Sequence, residues 1–156
     1  EKTIYVMTNE NGTFFGDHAG VAVIDHTEPA NSVLYDPGGS YNGCYNNPSK
    51  CKKYEISRGS GDTFYGKHID LNDYVNYQKT TDGKEVFIHK FSISDQEAKR
   101  IMENIEKQGG TMGGLCTVST SRVLQGGNGI FKDLDTYYNP KSLGDALRKL
   151  NGNKAR

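Results

Sequence analysis

The sequence predicts a single α+β domain in which a central antiparallel sheet packs against helices. Its 156 residues match the usual size of one domain. Short β-rich segments bounded by Gly- and Asn-rich turns dominate the first half, and segments with helical periodicity dominate the second half. Together these segments form an α+β pattern, and we expect one domain over residues 1–156.

The composition argues against two classes of partner. Nineteen Lys and Arg residues balance nineteen Asp and Glu residues, so the chain lacks the excess positive charge that nucleic-acid binding requires. The longest purely apolar run, residues 19–24, is far shorter than the roughly 18–20 residues that span a bilayer, so no membrane insertion is expected. The first residues show no targeting signal, and we expect a domain of a longer protein.

Three early segments predict neighbouring strands. Residues 4–8 are β-rich and are followed by an Asn-Gly turn, which favours a hairpin. Residues 19–24 predict a mostly buried strand, and residues 32–35 are expected to return beside it. Residues 41–66 are rich in Gly, Asn, Ser, Lys and Tyr without a sustained period, and they predict one long surface excursion.

A short helix and a further strand are expected next. Residues 70–78 have helical spacing behind Asp70, whose side chain can cap free backbone N–H groups. After an Asp-Gly turn, residues 85–92 alternate in the manner of a strand, and we expect this strand to join the central sheet.

Three more helices are predicted from their start and stop signals. Ser94 and Glu97 form a capping box, followed by an apolar helical stripe and by a stop at Gly109. A second helix is expected to begin around Cys116, and a last one at Ser142.

The three cysteines do not form a metal-binding pattern. Cys44 and Cys51 lie close together, and either a disulfide formed in an oxidising compartment or two unrelated loop thiols would explain them. No second pair of ligands accompanies them, which argues against zinc, and no metal or other cofactor is expected. Cys116 stands alone in the sequence.

Cys116 is the first candidate for chemistry. It follows two glycines and Leu115 and is expected to open a helix, where backbone N–H groups and the helix dipole stabilise an anion. Such a position lowers the pKa of a thiol and makes the sulfur nucleophilic near neutral pH. The alternative interpretation is a buried cysteine that packs as a small apolar side chain.

A cysteine nucleophile needs a base, and the chain contains four histidines. His18 is the best candidate, because it directly precedes a buried strand and therefore lies at the end of a rigid element. His89 lies within a strand, where a packed or a face-exposed histidine is expected. His26 and His68 lie in loop-like segments. An ordinary turn histidine is the alternative interpretation of His18.

A third polar group usually orients the imidazole through its second ring nitrogen. Asp36 fits this role best, since it ends the strand that is expected to pair with the strand of His18. Asp17, Asp25 and His26 are rival candidates. Asp36 also begins an Asp-Pro-Gly-Gly segment, so an ordinary turn would explain it equally well.

The order of these features resembles a known superfamily. His18-Ala19-Gly20 opens a strand, a partner strand ends at Asp36, and a late Cys116 opens a helix. This order is similar to that of the circularly permuted papain-like superfamily, which contains NlpC-like peptidases and lecithin retinol acyltransferase-like enzymes. The chain lacks the Asn-Cys-Glu-His signature of the acyltransferase branch.

A longer pattern resembles the C-terminal toxin domains of bacterial Rhs-type polymorphic proteins. It comprises residues 17–21, 34–40, 59–62, 116–117 and 142–147. This resemblance implies an antibacterial effector of the type VI secretion kind, carried by an Rhs-type protein and neutralised by a cognate immunity protein. It implies delivery into a target cell, in which either the periplasm or the cytoplasm is the site of action.

The resemblance also implies a permuted papain-like fold with Cys116 as the nucleophile and His18 as the base. We expect Cys116 to attack an amide or ester carbonyl, with its own backbone N–H as the first oxyanion donor. Peptidoglycan stem peptides and proteins of the target cell are the expected substrates, and deamidation or acyl transfer is a close variant. The competing class is a glycan- or protein-binding module in which Cys116 is inert.

The tyrosines of the predicted surface excursion have two interpretations. Tyr41, Tyr45, Tyr54 and Arg58 are expected to form or cover a substrate groove, because long loops on a rigid scaffold often carry recognition. A loop that only improves solubility is the alternative.

Overall fold

The computed structural model describes residues 1–12, 18–46, 55–56, 62–111 and 114–154. These residues form a six-stranded antiparallel sheet with the strand order β4-β5-β3-β2-β1-β6. The strands are β1 (Lys2–Asn9), β2 (His18–Ile24), β3 (Val33–Tyr35), β4 (Glu55–Ile56), β5 (Thr63–Tyr65) and β6 (Val86–Ile93). The helices are α1 (Leu71–Asp82), α2 (Asp95–Gln108), α3 (Cys116–Gln125) and α4 (Pro140–Lys154). The α+β prediction is therefore confirmed.

Helices cover both faces of the sheet. Side chains of a strand point alternately to its two faces, so Val6 and Met7 of β1 enter different hydrophobic clusters. Val6 packs in the larger cluster, which includes buried side chains of α2, α3 and α4. Met7 packs in the smaller cluster, to which α1 contributes Tyr74. The sheet thus separates α1 from the other three helices.

Three of the helix starts agree with the sequence analysis. The Asp70 side chain caps α1 by accepting from the backbone N–H of Asp73 at 3.1 Å. The Ser94 side chain caps α2 by accepting from the N–H of Glu97 at 3.0 Å. Cys116 is the first residue of α3. No helix within the described ranges has both the length and the apolar character needed to cross a membrane.

The predicted start of the last helix was wrong. This helix, α4, begins at Pro140 rather than at Ser142. The Asn139 side chain accepts a hydrogen bond from the N–H of Ser142 at 2.8 Å and so acts as the cap. Asn followed by Pro is a strong start signal, because Pro at the first helical position has a suitable φ and needs no N–H partner.

The prediction of a single surface excursion over residues 41–66 was also wrong. β5 pairs with β3, and Phe64 of β5 is buried. Tyr41 and Cys44 are buried with it under α1, because an apolar sheet face must be covered. The structure holds Cys44 in a disulfide, while Cys51, Tyr54 and Arg58 lie outside the described residues.

Candidate functional site

The start of α3 places Cys116 against one end of the sheet. The ladder between β2 and β3 ends at the pair formed by Val21 and Tyr35, and Ala19 lies beyond it. The backbone N–H of Ala19 donates to the sulfur of Cys116, and the side chain of Thr117 is a further hydrogen-bond partner. The Cys116 residue is only 5% exposed. The sulfur is therefore held by donors that favour its anionic form.

His18 lies between Cys116 and Asp36. It is the first residue of β2 and is 8% exposed. Its Nε2 atom makes a hydrogen bond with Oδ1 of Asp36, and its ring also hydrogen-bonds the side chain of Cys116. The imidazole therefore links the carboxylate to the sulfur.

Asp36 directly follows β3 and is fully buried. Its Oδ1 atom accepts from the Tyr74 hydroxyl at 2.6 Å in addition to its contact with His18. Its backbone N–H donates to the carbonyl of Asp62 at 2.6 Å, and its carbonyl accepts from the N–H of Gly39 at 3.0 Å. These contacts fix both the backbone and the side chain of Asp36.

The three groups shift one another's proton affinities. Burial alone would lower the pKa of His18, but the charge and hydrogen bond of Asp36, with contributions from Cys116, raise it to about 10. Burial alone would raise the pKa of Cys116, but the hydrogen bond and charge of His18 lower it below the ordinary 9.0. The imidazolium form of His18 and the anionic form of the Cys116 sulfur therefore favour each other.

The start of α3 supports this charge distribution. Its N-terminal flanking residue, Leu115, makes no side-chain capping hydrogen bond, and no acidic residue lies in the first turn. The positive end of the helix dipole therefore acts on the Cys116 sulfur without a competing anion from this helix.

The other histidines lie away from this site. His89 is buried within β6, where it hydrogen-bonds Thr8 at 2.8 Å, and burial with the charge of Arg148 lowers its pKa to about 4. Of the two expectations for His89, packed or exposed on a face, the packed one is therefore confirmed. His26 is exposed, and His68 lines a separate surface groove beside α1.

The rivals of Asp36 do not contact His18 in the described structure. Asp25 accepts backbone hydrogen bonds from Thr27 and Glu28 at the far end of β2. His26 lies in the same exposed turn, and Asp17 lies outside the described residues. Among the candidates that the structure describes, Asp36 is the one brought to the imidazole.

One predicted recognition residue is not available to a substrate. Tyr41 is buried, and its hydroxyl donates to Oδ2 of Asp73 at 2.6 Å. The backbone N–H groups of Tyr45 and Asn46 donate to the same carboxylate at 2.6 Å each. Residues 41–46 are therefore bound to α1, and of the described tyrosines predicted for recognition Tyr45 is exposed, at 40%.

The residues that surround Asp36 were not predicted from the sequence. A Cβ atom at Gly20 would lie 2.3 Å from the Tyr74 hydroxyl, and one at Gly39 would lie 1.9 Å from Oδ2 of Asp36. A glycine inside a strand marks a close approach by another group, so Gly20 was the available signal. Nothing local marked Tyr74, whose spacing is that of an apolar helix face.

Family models, curated proteins and solved structures yield no significant match to this chain. Within the described ranges, no cluster of three or more His, Cys, Asp or Glu side chains has an arrangement suited to a metal ion.

Proposed function

We propose that this domain is a cysteine hydrolase that cleaves amide bonds, with Cys116 as the nucleophile, His18 as the acid-base group and Asp36 as the group that orients it. The observation that carries the proposal is the chain of contacts from the Cys116 sulfur through the His18 ring to Oδ1 of Asp36. Three different elements supply these side chains. A nucleophile bound to a base that is itself held by a third group is the general arrangement for covalent catalysis.

The charge state of the pair sets the order of steps. The thiolate attacks the carbonyl carbon, and the His18 imidazolium donates its proton to the leaving nitrogen as the C–N bond breaks. His18, now neutral, takes a proton from water as the water oxygen attacks the thioester carbon. The C–S bond then breaks, and the acid product leaves with the thiolate and imidazolium restored.

Burial of this trio argues against a binding module with an inert cysteine. A histidine and a carboxylate that lose their water carry a large desolvation cost, which a purely structural core avoids. The order of His18, Asp36 and Cys116 in the chain supports a permuted papain-like arrangement. As part of the proposal, the domain is an effector with an Rhs-type carrier, an immunity protein, and a stem peptide or target-cell protein as substrate.

The first prediction concerns the ionisation of Cys116. We expect alkylation by iodoacetamide to show a midpoint below about pH 7.5, and His18→Ala to raise this midpoint to about 8.5 or above, because the counter-ion is lost. The midpoint is measured from the rate of mass gain against pH. His26→Ala is the matched control, since His26 is exposed and outside the site.

Cys116→Ala identifies the labelled sulfur, because Cys44 is in a disulfide and Cys116 retains its thiol. A wild-type midpoint at or above about 8.5, or no labelling of the folded protein, would contradict the proposed function.

The second prediction concerns toxicity on expression in bacteria. We expect Cys116→Ala and His18→Ala each to abolish growth arrest while circular dichroism remains that of the wild type. The reaction needs both the nucleophile and the acid-base group, so the loss of either side chain stops it. His26→Ala should remain fully toxic. A folded Cys116→Ala variant that still kills would exclude this nucleophile.

The compartment of killing then separates the two substrate classes. Export of the wild-type domain to the periplasm and retention in the cytoplasm are compared in the same strain. Killing after export alone indicates stem peptides, and killing from the cytoplasm alone indicates a target-cell protein.

A further inference from the structure

Tyr74 reaches the site from α1, on the face of the sheet opposite to α2, α3 and α4. It is fully buried, and its hydroxyl donates to Oδ1 of Asp36 at 2.6 Å. The same oxygen holds Nε2 of His18. The other carboxylate oxygen, Oδ2, has no hydrogen-bond partner among the described residues. Two donors that converge on one oxygen therefore fix the rotation of this carboxylate.

We infer that Tyr74 is a positioning residue, which holds the Asp36 carboxylate so that His18 keeps its ring aligned with Cys116. This inference rests on the proposed function, because alignment matters only if the cysteine and histidine react together. In this role Tyr74 acts through its hydrogen bond to Asp36.

The surroundings of Tyr74 are consistent with a dedicated donor. Burial and the nearby Asp36 charge keep the pKa of Tyr74 well above 10, so the phenol stays protonated and donates throughout the neutral range. Gly20 leaves the space for the hydroxyl, since a Cβ atom there would lie 2.3 Å from it. The ring of Tyr41 packs edge-on against the Tyr74 ring, with centroids 5.1 Å apart.

Removal of the Tyr74 hydroxyl should change the ionisation of Cys116 and not only the packing around the Tyr74 ring. Without the phenol, the carboxylate is held by His18 alone, and rotation brings the unpartnered Oδ2 towards the imidazole. The two arrangements then compete, the imidazole is less firmly oriented, and the thiolate is less well stabilised.

Tyr74→Phe tests the inference by iodoacetamide alkylation against pH. We expect the Cys116 midpoint to rise by about 0.5–1 pH unit. The matched control is Tyr41→Phe, which removes a phenol-to-carboxylate hydrogen bond of the same length, 2.6 Å to Asp73, from the same cluster. That variant should lose comparable stability and leave the midpoint unchanged. Equal shifts in both variants would overturn the inference.

A double-variant comparison tests whether Tyr74 affects the Cys116 midpoint through Asp36. In an Asp36→Asn background, Tyr74→Phe should cause no further shift, because its effect passes through Asp36. If Tyr74→Phe does not fold, Gly20→Ala displaces the same hydroxyl sterically and should raise the midpoint in its place. An unchanged midpoint in the folded variant overturns the inference.

The two failures are distinguishable. A wild-type midpoint at the ordinary thiol value contradicts the proposed function itself. A low wild-type midpoint that rises in His18→Ala but not in Tyr74→Phe contradicts only the positioning role.

Discussion

Two glycines leave the space in which the buried carboxylate of Asp36 is held. Gly20 admits the Tyr74 hydroxyl, and Gly39 lies so close that a Cβ atom would overlap Oδ2 of Asp36 at 1.9 Å. Neither glycine has a positive φ, so close approach rather than backbone conformation explains them. The residue types at these positions are therefore set by the neighbouring polar side chains.

Gly20→Ala should destabilise the fold. The added methyl group would meet the Tyr74 hydroxyl at 2.3 Å and the carbonyl of Tyr35 at 3.0 Å, and overpacking of this kind costs about 1–3 kcal/mol. The free energy of unfolding is measured by urea denaturation. Gly152→Ala is the control, because Gly152 is exposed within α4 and a Cβ atom there would have no described atom within 4 Å.

The control variant should be as stable as the wild type or slightly more stable, since alanine favours a helix over glycine. Equal stability of Gly20→Ala and the wild type would contradict this prediction. It would show that the groups around Gly20 can move to accommodate a methyl group at no cost in unfolding free energy.

At the scale of elements, local signals predicted the parts that local interactions form. The capping residues Asp70 and Ser94 located the starts of α1 and α2, because a cap needs only the next three residues. The start of α3 at Cys116 followed from the glycines before it. Adjacent strands placed Asp36 near His18, since the ladder of β2 and β3 sets their separation.

Long-range packing explains what the sequence did not predict. β5 is three residues long and has no periodic signal in the sequence. It nevertheless pairs with the edge of β3, and this pairing buries Phe64. Tyr41 also lacks a periodic signal and was expected at the surface. It is buried, and its hydroxyl donates to Asp73, which is far from it in the sequence. Tyr74 shows helical spacing in the sequence, but its hydroxyl partner comes from the turn that follows β3.

In the whole molecule, folding changes the proton affinities of groups that are distant in the sequence. His18, Asp36 and Cys116 come together only when the sheet and α3 are assembled, and their contacts then raise the pKa of His18 and lower the pKa of Cys116. Their proton affinities therefore contribute to the pH dependence of folding.

The signs of the two contributions are opposite. The pKa of His18 rises from 6.5 to about 10 on folding, so its stabilisation is complete below pH 6.5 and is lost as pH rises to 10. The pKa of Cys116 falls below 9.0 on folding, so its stabilisation is complete above pH 9 and is lost as pH falls through the folded value. Where both groups titrate, the His18 contribution to the unfolding free energy falls with rising pH while the Cys116 contribution rises.

We therefore expect the unfolding free energy of the wild type to depend less on pH just below about 9, where the two contributions oppose each other, and to fall between about 9 and 10, where only His18 still releases a proton. Cys116→Ser is the informative variant, because serine has a similar size and does not ionise in this range. Its stability should begin to fall near pH 6.5, with a slope approaching about 1.4 kcal/mol per pH unit for one proton.

Urea denaturation of both proteins from about pH 5.5 to 10 measures the difference between the two curves. Other groups that titrate near or above pH 10, such as Tyr35 and Tyr74, are common to both proteins and cancel in the comparison. Parallel curves would mean that the folded protein holds Cys116 as a neutral thiol, and the ion pair on which the proposed chemistry depends would not exist. Divergence that begins below pH 9, at the pH where the folded sulfur titrates, would instead show that assembly of the fold favours the ionised sulfur.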